Sequence, residues 1–319
     1  GGLLVFAAGG VVCAQAAAPA ELIVGRAIQA AGVCAASVLA RAIARDMYEG
    51  ETLARVLAMV IVAMAAAPGF SPLLGGMTEK MIGWRMTFLT VSAFGLALSM
   101  WYAFRLPETH VASRRMPLAV GPILRIYASL LIDPRFLRPV IAVMCLTGGL
   151  YGFFAAAPSV LMGAIKLSAL EMGLFFAATV PVVFAAGLAV PRLSHRWGAA
   201  RVIQAGIVLA LVGGVMIYLA SVRYPSSLTA FTFALCVFLM GMGVANPLST
   251  AQALSPFGAQ AGAASAMLGF IQMSGAALGA MLVSTMAGIS HMAAVGLLIS
   301  VFALLAFITF WNQPRTAGF

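Results

Sequence analysis

Charge is what this chain has least of. Its 319 residues include 18 Lys and Arg, 8 Asp and Glu and 3 His, so 8% are charged while 63% are hydrophobic. Soluble domains carry roughly 25% charged residues. The mean hydropathy is +1.07. A water-soluble fold of this length could not hide so much apolar surface, which excludes a soluble enzyme or binding module and leaves a polytopic membrane protein. Paired cysteines are lacking too. Cys13, Cys34, Cys145 and Cys236 each lie inside an apolar run, with no paired spacing. They read as small buried hydrophobes, which argues against a disulfide framework or a thiolate metal site.

Catalytic constellations are also missing. His110, His195 and His291 are far apart, in loops or at helix ends, without metal-ligand spacing. There is no GxSxG, phosphate loop, HExxH or intramembrane carboxylate pair. An enzyme, a bound metal and a cofactor are therefore not expected. The formal net charge of +10 raises the question of nucleic acid. The basic residues form no stripe, however; they fall in short loops between apolar runs, so nucleic acid is not an expected partner. The chain starts Gly-Gly-Leu-Leu, inside an apolar run, with no charged n-region or cleavage site, and no signal peptide is expected.

What charge there is gathers in one stretch, Arg105 to Arg138. It holds Arg105, Glu108, Arg114, Arg115, Arg125, Asp133, Arg135 and Arg138. Such a block cannot sit in hydrocarbon, so the expectation is a loop in water with membrane on both sides of it. Four apolar spans precede it: Gly1 to Ala18, Leu22 to Ala40, Leu53 to Leu74 and Met86 to Phe104. Six follow: Pro139 to Met162, Met172 to Val190, Val202 to Ala220, Leu228 to Leu248, Ala261 to Ala287 and Met292 to Phe310. The organisation expected is all-α, with an N-terminal bundle at 1–106, a connecting loop at 107–138 and a C-terminal bundle with its tail at 139–319. The four-plus-six split suggests that part of a symmetric protein lies missing before residue 1.

Lys and Arg divide unevenly between alternate loops. One set holds Arg41, Arg45, Arg55, the arginines of the central stretch, Arg192, Arg196, Arg201 and Arg315; the other holds Lys80, Arg85, Lys166 and Arg223. The richer set is expected in the cytoplasm, which places the central loop and the C-terminus there.

Three groups of residues inside the spans call for an explanation. Arg26 is the only basic residue well inside a span, about two turns from its outer end, and Gln29 shares its face at i+3. An arginine there is costly unless it is paired, lines a wet cavity or snorkels to the interface. The readings are snorkelling, or a substrate or proton-relay contact. The third span carries Pro68, Gly69, Pro72, Gly75 and Gly76, with Pro68, Pro72 and Gly75 on one face. That face allows close helix approach and frees backbone carbonyls, so it is either a packing seam or a hinge. In the later spans, Asn246-Pro247 is expected to break the eighth. Gln272, Gly275 and Gly279 share a face of the ninth. The alternatives there are plain helix packing or the lining of a site between two repeated halves.

These residues carry a resemblance. The segments ELIVGRAIQAAGVCAASVLARAIARD from Glu21, APGFSPLLGG from Ala67, GWRMTFL from Gly83, LPET from Leu106, PRLSHRWGAAR from Pro191 and NPLSTAQALSPFGAQAGAASAMLGFIQM from Asn246 resemble the major facilitator superfamily. The similarity is to its bicyclomycin and drug-resistance (Bcr/CflA) efflux branch and covers essentially the whole chain. It implies two pseudo-symmetric six-helix bundles, of whose twelve helices about ten are here, the first two being absent. The Arg-x-x-Gln pair looks like the fourth-helix motif, which would give Arg26 a role in proton transfer. The proline and glycine run looks like the fifth-helix antiporter motif. PRLSHRWGAA resembles a degenerate cytoplasmic gate loop, with Arg192, His195, Arg196 and Gly198 as its members and His195 standing where an aspartate is usual. Asn246, Gln272 and Gly275 would be cavity-lining candidates.

The resemblance implies a multi-pass protein of the bacterial inner membrane that exports drug-like small molecules in exchange for protons, acting as a monomer. Two alternatives stay open. One is export of a small metabolite, such as an amino acid, by the same mechanism; the other is a truncated, non-transporting remnant.

Overall fold

Long apolar runs without period-two alternation leave the backbone one way to satisfy its polar groups in lipid, which is helix. The computed structural model describes residues 1–48, 52, 55–56, 59–60, 67, 71, 74–105, 120–286 and 288–311, and among them there is no strand. The chain forms two compact units, Gly1–Leu118 and Ala119–Phe319.

In the first unit, α1 spans Gly2–Gln15, α2 Pro19–Met47 and α3 Trp84–Arg105. Proline at the first position of α2 fits, because that N–H has no helical partner. The α1–α2 turn is tied twice: Ala17 N–H donates to Glu21 Oε2 at 2.8 Å, and Arg85 Nη2 donates to the Ala16 carbonyl at 3.1 Å. Arg85 also stacks on Trp84, 4.5 Å from the ring centroid. Residues 74–82 are helical, and Gly83 at φ +80 makes the corner into α3.

In the second unit, α4 spans Val120–Ile132, α5 Pro134–Ala157, α6 Ala169–Trp197, α7 Ala199–Arg223, α8 Leu228–Leu254, α9 Ala261–Thr285 and α10 His291–Trp311. Asp133 caps α5 by accepting the Arg135 N–H at 2.9 Å. Ser168 and Glu171 form a reciprocal capping box on α6, and Ser227 caps α8. Beyond Ala157, α5 widens into a π-helix over Pro158–Ala164. The core is aromatic at its centre, where Phe153 lies 5.6 Å from Phe176 and 6.0 Å from Phe231. A smaller core joins Leu130 of α4 to Phe136, Val140, Ala253, Ala264 and Leu268.

Among the described residues, eight helices are long and apolar enough to cross a membrane: Pro19–Ala40, Trp84–Arg105, Pro134–Ala164, Ala169–Trp197, Ala199–Arg223, Leu228–Gly258, Ala261–Thr285 and His291–Phe310. The chain is thus a multi-pass, all-α membrane protein. Three expectations change. The first span is helical only over Gly2–Gln15, 14 residues against the roughly 20 that a bilayer requires. The stretch expected as a solvated loop contains α4, because Ile126 and Leu130 at i and i+4 place an apolar face against the smaller core. Pro247 does not break α8, which continues from Leu228 to Leu254. A proline inside a membrane helix is tolerated where packed neighbours hold the chain. The third expected span lies largely outside the described residues.

Candidate functional site

Glycine lets helices approach closely at several crossings among the described residues, three of which lie beside the candidate polar residues. A Cβ on Gly9 of α1 would lie 2.8 Å from the Gly25 carbonyl oxygen of α2, and one on Gly25 would lie 3.0 Å from the Gly9 carbonyl oxygen. The two backbones therefore touch. Between α7 and α8, Gly206 faces Gly241 in the same manner, with 2.8 Å from a Gly206 Cβ to the Gly241 oxygen. Between α5 and α9, Gly152 faces Gly279 at 3.1 Å, and a Cβ on Gly275 would reach the Met144 carbonyl oxygen at 2.5 Å. Small residues at such crossings replace a hydrophobic driving force that lipid cannot supply.

The α1–α2 crossing holds a polar cluster. One residue past Gly25 stands Arg26, and its Nη1 donates to Gln29 Oε1 at 3.1 Å. The guanidinium carbon sits 6.0 Å from the centroid of the Phe88 ring on α3. Gln29 is only 4% exposed. Its carbonyl oxygen also faces Cys13 Sγ at 3.8 Å, and Cys13 is fully buried. Ser92 of α3 completes the surroundings: it is buried, its Oγ has no partner among the described residues, and it stands against Gly10. The amide of Gln29 thus orients Arg26 while the charged head stays on the exposed side of α2. A guanidinium carries five N–H donors in a planar fork. Gln29 engages one of them and fixes the direction in which the fork points.

The pairing of Arg26 and Gln29 follows from their i, i+3 spacing. The remaining contacts do not, because Cys13, Phe88 and Ser92 are distant from them in sequence. Pro68, Gly69 and Pro72 lie outside the described residues. Gly75 and Gly76 are helical and half-buried, and no described residue comes within 4 Å of where a Gly75 Cβ would stand.

In the second unit, Gln272 Nε2 donates to Thr147 Oγ1 of α5 at 3.2 Å, and Gly275 and Gly279 use their bare faces for contact with the same helix. The face that unites Gln272, Gly275 and Gly279 in sequence is the face that packs on α5. Asn246 Oδ1 and Ser249 Oγ, at i and i+3 on α8, are buried and lack partners among the described residues. Arg192, His195 and Arg196 are exposed near the C-terminus of α6. Gly198, at φ +82, makes the sharp turn into α7. A pocket of about 300 Å³ opens near the far end of α5, beside Ser159, Gly163, Pro225 and His291.

Residues 1–280 match the sequence profile of the Major Facilitator Superfamily. The chain belongs to the major facilitator superfamily. It is accordingly a membrane transporter and not an enzyme. Multidrug resistance protein D of Escherichia coli is 28% identical over 313 residues, spanning 95% of this chain and 75% of that protein. An uncharacterized MFS-type transporter, YdgK, of Bacillus subtilis is 24% identical over 98% of this chain and 78% of its own length. A bicyclomycin resistance protein homolog of Haemophilus influenzae is 24% identical over 77% of this chain and 62% of its own. Those names agree with the branch that the motifs resemble. Among solved structures, a bacterial homolog of the human lysosomal transporter Spinster, inward-facing and unoccupied, superposes with a TM-score of 0.73 at 16% identity, covering 99% of this chain and 84% of that one. At that identity the likeness is one of fold.

Proposed function

We propose that this chain exports drug-like small molecules across a bacterial inner membrane in exchange for protons. The observation that carries the reading is Arg26, a permanent charge inside an apolar span, oriented by a buried amide at 3.1 Å. A charge in such a place is costly and marks a proton or substrate path by default. The names of the relatives, multidrug resistance and bicyclomycin resistance, support the substrate class.

In this reading the two bundles, 1–106 and 139–319, expose a site to each side of the membrane in turn. The segment 107–138 connects them in the cytoplasm, as the arginine distribution favours. Pro68, Gly69, Pro72, Gly75 and Gly76 form the hinge. Arg26, oriented by Gln29, couples proton transfer to the switch between the two states. Asn246 and Gln272 supply hydrogen bonds to substrate, while Arg192, His195, Arg196 and Gly198 form a cytoplasmic gate. The protein acts as a monomer.

The test is efflux from proteoliposomes with and without an imposed pH gradient, using a fluorescent cationic drug and then amino acids as competitors. Gradient-dependent drug efflux that disappears in Arg26→Ala, with normal membrane insertion, is the expected result. Undiminished efflux in that variant, or efflux indifferent to the gradient, would remove proton coupling through Arg26. Competition by amino acids alone would move the substrate class to small metabolites.

A further inference from the structure

The helix α4 has two apolar faces, and the described residues cover one of them. Towards α5 and α9 it turns Ile126, Tyr127 and Leu130, and Leu130 is 0% exposed against Phe136, Val140 and Leu268. Next to that face, Leu124, Leu131 and Ile132 are exposed by 60%, 45% and 79%. At 100° per residue, Leu124, Ala128, Leu131 and Ile132 form one continuous stripe, and Arg125 and Ser129 form the narrow polar edge that remains. More than half of the circumference is apolar, although the core uses less than half.

The position of the helix says what the second face meets. A single residue, Asp133, separates α4 from the membrane-spanning segment Pro134–Ala164. The helix has 13 residues, roughly 20 Å long and too short to cross a bilayer of about 30 Å. Contacts within the second unit fix it beside the start of that segment. Leu130 packs into the ends of α5 and α9, and Arg135, bonded to Asp133 at 2.9 Å, lies 5.9 Å from the Phe257 ring centroid. Arg125 is exposed beside the apolar stripe, where anionic headgroups would meet it.

We infer that α4 is an interfacial helix: Leu124, Leu131 and Ile132 insert at the headgroup–acyl boundary of the leaflet where α5 begins, and Arg125 lies among lipid phosphates. An apolar stripe beside a cationic edge is the pattern of helices that lie in the membrane plane. This assignment does not depend on what the protein carries or on proton coupling. It makes the connector a membrane-anchored element fixed to the second unit.

Site-directed spin labelling tests it. Leu124→Cys, Ser129→Cys, Leu131→Cys and Ile132→Cys are each made in the full chain with its four cysteines replaced, then reconstituted into phosphatidylcholine–phosphatidylglycerol vesicles. Labels at 124, 131 and 132 are expected to collide with oxygen and to be shielded from a water-soluble nickel chelate, while the label at 129 meets the chelate. Chelate access at all four positions would place the stripe in water and overturn the inference. Shielding of 124, 131 and 132 from both reagents would also overturn it, because another part of the protein would then cover the stripe. Should the cysteine-free background fail to fold, Leu131→Trp with the native cysteines gives the same answer. Its added emission should be quenched by lipid brominated on the acyl chain and not by acrylamide; the reverse pattern would refute the placement.

Discussion

The α1–α2 and α7–α8 crossings are built alike and serve different ends. Each pairs one glycine from either helix, Gly9 with Gly25 and Gly206 with Gly241. Counting from the second glycine of each pair, the next residue is Arg26 in one and Met242 in the other. Three residues further on stand Gln29 and Ala245, and both are buried. The backbone solution is thus duplicated while the chemistry is not. The first unit places a charge and its amide where the second places a thioether and a methyl group. Close backbone contact is what both crossings need in lipid; a cation held by a buried amide stands beside the first and not at the matching position of the second.

The largest effect should come from removing that difference. Arg26→Ala is expected to reduce transport to the level of empty vesicles, with insertion unchanged. Met242→Leu, at the matching position, should keep most of it, since a swap of similar volume costs under about 1.5 kcal/mol. The comparison is wrong if Met242→Leu is the more damaging change in a proteoliposome assay.

The shared feature can be attacked next. Gly25→Val and Gly241→Val each drive a side chain into the facing backbone, and overpacking of this kind costs roughly 1–3 kcal/mol or more. Both should lower the thermal midpoint in detergent. At Gly25 the nearest atom is Cys13 Sγ, 2.6 Å from the added Cβ, so Cys13→Ala should recover part of the loss there. If only one glycine is sensitive, the two crossings do not do the same work.

A smaller change separates orientation from charge. Gln29→Leu leaves Arg26 in place and removes the acceptor that fixes the direction of its fork. Transport should fall roughly 5- to 100-fold, and the drop should exceed any loss of thermal stability. Ala245→Leu, in the second unit, should move stability and transport together.

These contrasts also show what the sequence could and could not disclose. Arg26 and Gln29 stand out because an apolar helix displays any charge within it, and their spacing puts them on one face. Cys13 and Phe88 are invisible at that level, because only the crossing of α1, α2 and α3 brings them to the cluster. The helices themselves were legible from apolar length, except where length and charge misled. The first run ends as a helix at Gln15 because Pro19 begins the next one. Arginines in the 105–138 stretch hid the periodicity of Ile126 and Leu130, although that spacing was there to find. Pro247 is a breaker in water, where freed carbonyls find solvent, and loses that force among packed helices.

Helix starts give the last contrast. Neither α1 nor α2 has a side-chain cap at its N-terminus, whereas α5, α6 and α8 of the second unit do. Asp133 is the cap that titrates. The hydrogen bond from the Arg135 side chain holds its carboxyl below the usual carboxylate value; burial opposes it, and the Arg135 backbone N–H and charge add to the lowering. A carboxyl depressed in the folded state stabilises it above the unfolded value, near pH 4, and that contribution is lost as pH falls through the lower folded value. Asp133→Asn keeps a capping oxygen and loses the charge, so at pH 7 it should cost at most about 1 kcal/mol. The difference in thermal midpoint between the two proteins should shrink as pH drops below 4. A difference that persists unchanged at low pH would mean that cap geometry alone, and not the ion pair with Arg135, sets what this end of α5 contributes.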